Sequence, residues 1–218
     1  MDTLNSLERY THLNKYLKNK FGERTLKICI DGHFTCPNRD GSVGKTGCIF
    51  CSERGSGEHI KCPNIADSII SIKEQVRNYF SSYKSARANK FIAYFQNFTN
   101  TYDSVSNLKA KYDSALIDNR IVGLSIATRP DCINEEIVKL LHSYSKKYYV
   151  FVELGLQTSN DETGKIISRG YLSKTFTNAV SILNKYNIDV VCHIMVGLPN
   201  EDFDDITNTV DFLNMHSI

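Results

Sequence analysis

The sequence predicts an α/β protein whose core is a curved, incomplete parallel barrel, and three observations lead there. Five times in succession a β-type run is followed by a segment with helical spacing, the pattern of parallel strands joined by helical crossovers. A closed eight-unit barrel takes about 250 residues, more than a chain of 218 residues offers once its N-terminal helix is set aside. The segments after the five runs carry cysteines, glycines and small polar groups. One rim therefore collects the chemistry, as the C-terminal face does in closed barrels.

In chain order, residues 5–20 read as a basic, amphipathic helix, and Leu26 to Asp31 (LKICID) as the first strand, leading straight into a cysteine-bearing loop. Ile65, Ile69, Ile72, Val76 and Phe80 follow helical spacing. Lys90 to Gln96 is the second strand, residues 104–117 the next helix, and Ile121 to Ala127 the third strand. After Thr-Arg-Pro-Asp, Asn134 is placed to cap a helix with Ile137, Leu140, Leu141 and Tyr144 on one face. Tyr149 to Leu156 forms the fourth strand, and residues 174–186 a helix with Phe176, Val180 and Leu183 inward. Asp189 to Val196 is the fifth strand, followed by a helix using Phe203, Ile206, Val210 and Leu213.

Composition excludes several classes. Apolar residues make up 41% and charged residues 23%, ordinary for a soluble globular domain. The net charge of +2 does not by itself argue for nucleic acid. No run approaches about 18 apolar residues, so neither a membrane span nor a membrane partner is expected. The N-terminus has no apolar signal core, and the cytoplasm is the expected compartment. Seven cysteines, an odd number, in a reducing compartment point to metal or burial rather than a disulfide framework. Cys29, Cys192 and Cys132 read as buried hydrophobes.

The remaining signal is concentrated in FTCPNRDGSVGKTGCIFC, where Cys36, Cys48 and Cys51 are spaced C-x11-C-x2-C. The loop has too little apolar content to fold by packing, and thiolates converging on a metal would replace the missing core. A closed zinc site and an ordinary iron–sulfur cluster each take four ligands. Three cysteines suggest a cluster with one iron open to a second molecule. The alternative is zinc, with His33, His59 or Cys62 as fourth ligand, in a non-catalytic RNA-binding or scaffold protein. Along the fourth strand Glu153, Gly155 and Gln157 share one face and Leu154 and Leu156 the other. If the leucines pack on helices, the polar set lines the barrel lumen. His193 is in phase with Met195 and Gly197 on the fifth strand.

These residues carry a resemblance. The loop resembles the cluster-binding loop of the radical S-adenosylmethionine (SAM) superfamily, with Phe50 as the aromatic before the last cysteine. CPNRDG followed by GCIFC is similar to the YhcC/YtqA-type branch, related to the catalytic subunit of elongator. The resemblance spans about residues 24–215. It implies a (β/α)6-type partial TIM barrel over 24–218, with about five βα units present, a basic helical extension over 1–23, and a chain that is C-terminally incomplete.

It also implies that Cys36, Cys48 and Cys51 hold a [4Fe-4S] cluster whose fourth iron binds SAM, with an electron donor such as flavodoxin or ferredoxin. Reductive cleavage of SAM would yield a 5′-deoxyadenosyl radical that abstracts hydrogen. Gln157 would contact the SAM ribose, Arg169 its carboxylate and His193 the adenosine, with backbone of Gly197 and Phe50 flanking the adenine. Glu153 joins this set from the same strand face. The second-strand Gly-Gly signature is replaced by QNFTNT, which puts Gln96 and Thr99 in its place. Elongator relatives modify the wobble uridine of tRNA, which makes tRNA, and not DNA, the expected macromolecular partner. Arg9, Lys15, Lys18, Lys20, Arg24 and Lys27, and a second group of Lys84, Arg87 and Lys90 beside Tyr79, Phe80 and Tyr83, are compatible with RNA. With so small a net charge, solvated helix faces account for them better.

Overall fold

The computed structural model describes residues 10–218. Its five strands are β1 (Thr25–Ile30), β2 (Lys90–Phe95), β3 (Ile121–Thr128), β4 (Tyr149–Gln157) and β5 (Asp189–Ile194). They form one sheet in the order β1-β2-β3-β4-β5, every pair parallel. The helices are α1 (Leu13–Phe21), α2 (Ser68–Ser81), α3 (Val105–Ala115), α4 (Glu135–Ser145), α5 (Asp161–Ile166), α6 (Ser173–Lys185) and α7 (Phe203–Asn214). Short 3-10 turns lie at Tyr83–Arg87 and Pro130–Cys132. An α/β fold of sequential parallel strands with helical crossovers is what the alternating pattern predicts.

Polar side chains set the helix starts. Asp67 accepts from the N–H groups of Ile69 and Ile70, Ser104 from Asn107, and Asn134 from Ile137. Asp202 and Asp205 form a reciprocal capping box at α7. Asp67 explains why α2 starts at Ser68 rather than at Ile65. α1 starts at Leu13, capped by His12, and stops where Gly22 turns left-handed. The predicted helix start at residue 5 lies outside the described residues, as does Arg9.

The core fills the space between the sheet's outer face and α2, α3, α4 and α6. Ile28, Ile30, Leu124, Ile126, Val152, Leu154 and Leu156 meet Ile72, Val76, Leu108, Tyr112, Val138, Leu141, Phe176 and Leu183 there. Burying each such side chain contributes about 1.5–3 kcal/mol, which makes this face the main source of stability. α7 departs from expectation. Phe203 and Val210 are exposed, while Phe212 and Leu213 pack on the core and Thr209 is buried. Val191 and Ile194 of β5 and Val196 just after it are exposed as well. β5 is an edge strand, and among the described residues no further strand pairs with it to cover this side.

The inner face is different. α1 closes the N-terminal end of the lumen, with Leu17 packed on Ile92 and Phe151 and flanked by Phe21 and Tyr149. Above this floor the lumen is polar, and it opens at the C-terminal rim.

Candidate active site

The loop after β1 is held together by its own short hydrogen bonds. Cys36 C=O accepts from the N–H of Arg39 and Asp40, and Pro37 C=O from Val43 and Gly44. Gly47 N–H donates to Asn38 C=O, and Cys51 N–H to Cys48 C=O. Gly47 takes φ +77 with the Arg39 side chain 2.9 Å from where its Cβ would lie, so the turn into Cys48 needs glycine. Two side chains of the CPNR segment then tie its halves together. Buried Asn38 donates Nδ2 to Cys48 Sγ at 3.4 Å and to Ser168 C=O at 2.6 Å. Arg39 donates Nη2 to the carbonyls of Cys51 and Ser52, at 2.9 and 2.5 Å.

The three cysteines lie on this one loop at the rim, none in a disulfide and each half-buried. Burial pushes the Cys48 thiol up; Asn38 and Arg129 work the other way, while Cys51 and Cys36 add to the rise. Among the described residues no three His, Cys, Asp or Glu side chains, those of Cys36, Cys48 and Cys51 included, come together closely enough to hold one metal ion. His33 and Cys62, offered as fourth ligands, face each other and α2: His33 Nε2 lies 2.8 Å from Ser71 Oγ and 3.3 Å from Cys62 Sγ. Cys192 and Cys132 are half-buried with thiols pushed up to about 12, chiefly by burial, and burial raises Cys29 as well.

The segment after β2 knits the rim. Gln96 Nε2 donates to Ser56 C=O at 2.9 Å, Asn97 Nδ2 to Asp31 at 2.8 Å and Asn100 Nδ2 to Ala127 C=O at 2.7 Å. Thr99 N–H donates to Thr35 C=O, next to Cys36. Its hydroxyl is buried without a hydrogen-bond partner among the described residues.

β4 supplies the lumen. Leu154 and Leu156 are in the helix-side core, and Glu153 faces inward at 3% exposure. Its carboxylate pairs with Lys27, accepts from Ser125 Oγ at 2.5 Å and lies 2.8 Å from His193 Nε2. Burial alone would push this carboxyl up; His193, Lys27 and Ser125 outweigh burial and bring it down to about 2. Lys27 also lies 4.1 Å from the Tyr94 ring centre. Its cation is therefore lumenal and does not belong to a surface patch. His193, whose side chain is half-exposed, presents its free ring edge to the open lumen. Gln157 ends β4 in the left-handed region, φ 63, at a register shift between Gly155 and Gln157. Its Nε2 lies 2.5 Å from where a Gly155 Cβ would be, so side chain and strand fit only over glycine. Phe50 and Gly197 are exposed at the rim.

Arg169 requires correction. It is fully buried, and its guanidinium donates to the carbonyls of Leu156 and Thr158, both at 2.6 Å, to Tyr171 C=O at 3.0 Å and to Asp161 at 2.9 Å. With its donors committed to the chain, it clamps β4 to α5 and is not presented to an outside carboxylate. Arg129, from the Thr-Arg-Pro-Asp segment, holds Asp131 in a two-point pair at 2.9 and 2.7 Å and donates to Arg169 C=O at 2.9 Å. Both guanidinium carbons lie 4.8 Å from the Tyr171 ring centre. The second basic group is also smaller than expected. Lys90 pairs with Glu23, and Phe80 packs edge-on against Phe91 beneath Arg120.

A family model described as the radical SAM superfamily matches residues 36–213. The chain belongs to the radical SAM superfamily. It is 40% identical over 205 residues to YtqA of Bacillus subtilis, a protein described as uncharacterized, covering 94% of this chain and 62% of YtqA. The chain thus spans about three fifths of that relative's length. A shorter match, 35% over 92 residues, joins 42% of the chain to 19% of a tRNA uridine(34) acetyltransferase of Dehalococcoides mccartyi. Among solved structures, Elp3 of Methanocaldococcus infernus superposes with a TM-score of 0.57 at 16% identity, covering 87% of this chain and 42% of Elp3, a likeness of fold. Members of this superfamily use a [4Fe-4S] cluster and SAM. Two observations fit such groups to this rim: three cysteines outside any disulfide on one loop, and a buried Thr99 hydroxyl with no partner among the described residues, on a segment whose backbone bonds Thr35 next to Cys36.

Proposed function

We propose that the chain is the SAM-cleaving core of a radical SAM enzyme acting on the wobble-uridine side chain of tRNA. The observation that carries this reading is that Cys36, Cys48 and Cys51 all lie on the loop leaving the C-terminal end of β1, which Asn38 ties at the Cys48 sulfur and Arg39 at the Cys51 carbonyl. Those three thiolates would hold a [4Fe-4S] cluster. When bound, cluster and SAM supply a 5′-deoxyadenosyl radical for hydrogen abstraction.

The chain's own residues orient and enclose. Asn38 donates toward the Cys48 sulfur and favours its thiolate. Phe50, Gly197 and the amide of Gln157 border the open rim where the nucleoside of SAM would lie, and Gln96 and Thr99 border the methionine end. Glu153 acts through His193: by holding Nε2 it fixes the ring so that the opposite edge faces the lumen. A half-buried, polar lumen closed below by Leu17 and Phe151 keeps bulk water from one side. The free thiols suit the reducing cytoplasm, where flavodoxin or ferredoxin would donate the electron. The tRNA substrate is supported by the partial match to a tRNA uridine(34) enzyme.

Anaerobic reconstitution followed by incubation with SAM and dithionite tests the reading. About four irons per chain and formation of 5′-deoxyadenosine are expected, the latter rising when unmodified tRNA is added. One zinc per chain, or iron without any SAM cleavage, would contradict it.

A further inference from the structure

A groove of about 530 Å³ runs along the free edge of β1, lined by its Leu26–Cys29 stretch, by His59, Ile60 and Lys61 of the long loop, and by α2 with the turn at Tyr83–Arg87. Its chemistry is one-sided. Lys61, Lys84 and Arg87 line it and carry no ion pair among the described residues, His59 adds a fourth nitrogen base, and no aspartate or glutamate faces in. The one cation there that is neutralised, Lys27, belongs to Glu153 in the lumen. Tyr83 stands at the lip with 79% of its surface exposed, a flat ring beside three free cations. Among the described residues β1 pairs with β2 alone, so its outer edge there offers unpaired backbone groups to whatever lies in the groove. β1 also leads directly into the cysteine loop, so a strand laid along it reaches the rim.

We propose that this groove is the track for a single-stranded segment of the RNA substrate, an inference that rests on the tRNA reading above. Lys61, Lys84 and Arg87 meet successive phosphates, Tyr83 stacks on a base, and the adjoining nucleotide is delivered to the mouth of the lumen beside Glu153 and His193. Unpaired positive charge with an exposed aromatic ring is the pairing by which single strands are held without sequence readout. A second polypeptide adding a strand to β1 would need a partner of opposite charge along the same edge. It is the occupant that the test below excludes.

The test uses the full chain and an anticodon stem-loop RNA, with binding followed by fluorescence anisotropy across a salt series. The double variant Lys84→Glu/Arg87→Glu should bind at least about ten-fold more weakly, with the salt slope shallower by about one to two units. Tyr83→Ala should lose about ten-fold at unchanged slope. Lys139→Glu, on the outer face of α4, should bind as the parent does. A benzophenone side chain introduced at Tyr83 should crosslink to the RNA. If the parent binds RNA and the groove variants bind equally well, or if the crosslink goes to polypeptide, the groove assignment is overturned and the tRNA reading stands. If the parent binds no RNA at all, both are overturned.

Discussion

The rim after β1 and the rim after β4 both carry motif residues, yet they are built in opposite ways. In the cysteine loop the backbone satisfies itself through short turns, the cross-ties come from Asn38 and Arg39, and the three sulfurs stand outside any disulfide, with Cys48 Sγ accepting from Asn38. On and after β4, Glu153, Arg169, Asp161 and Tyr171 are all bonded to other parts of the chain. One region has spare chemistry and little core; the other has committed chemistry and much burial. A polar residue at a motif position therefore points to ligand binding only where its hydrogen-bonding groups are still available.

The sharpest way to break this contrast is to remove sulfurs. Alanine at Cys36, Cys48 or Cys51 should lower reconstituted iron from about four per chain to nearly none, while Cys62→Ala, Cys132→Ala and Cys192→Ala retain it. Equal losses for both sets would erase the distinction between the rims. Next in size is Arg169→Ala, which leaves Asp161 and three carbonyls without their donor. Urea denaturation should show a loss of about 3–5 kcal/mol, and lysine should not rescue it, since one ammonium cannot span those four acceptors. A variant of full stability with weakened SAM binding would return Arg169 to a cofactor role.

Glu153 sharpens the comparison through pH. Its carboxyl is held at about 2, against an ordinary value of 4.5. It therefore contributes stability above pH 4.5 that is lost as pH falls toward 2, on the order of 3 kcal/mol. Glu153→Gln should flatten that part of the acid-unfolding profile; an unchanged profile would mean that the lumen network does not stabilise the fold. The smallest effect belongs to Asn38→Ala. Because the loop contributes little core, global stability should drop by only about 1 kcal/mol, while iron leaves the reconstituted protein measurably faster. A large global loss would place Asn38 with the buttressing residues after β4.

The strands are legible in the sequence because each combines a short apolar run with a helix-spaced segment behind it, and Asn134 marks the start of α4 by residue type alone. α5 is harder to see, being only six residues with Gly164 inside, although Asn160 followed by Asp161 and Glu162 is a helix-start signal. The spacing that points to Arg169 says where an arginine lies and nothing about whether its donors are taken. Lys27 counts as surface charge when grouped with its basic neighbours, yet the alternation that turns Glu153 inward applies equally to LKICI, where Lys27 opposes Leu26 and Ile28. Phe203 and Val210 follow helical spacing but find no partner surface among the described residues, where β5 is the last strand of the sheet. Such a partner is not encoded in the helix itself.

The central claim is that three sulfurs hold a cluster with one iron open to SAM. Electron paramagnetic resonance of the reconstituted, dithionite-reduced protein, recorded before and after SAM is added, tests it most directly. The account predicts the signal of a reduced [4Fe-4S] cluster whose shape changes on addition of SAM. A spectrum that SAM leaves unaltered, or a reduced protein with no cluster signal, would contradict it.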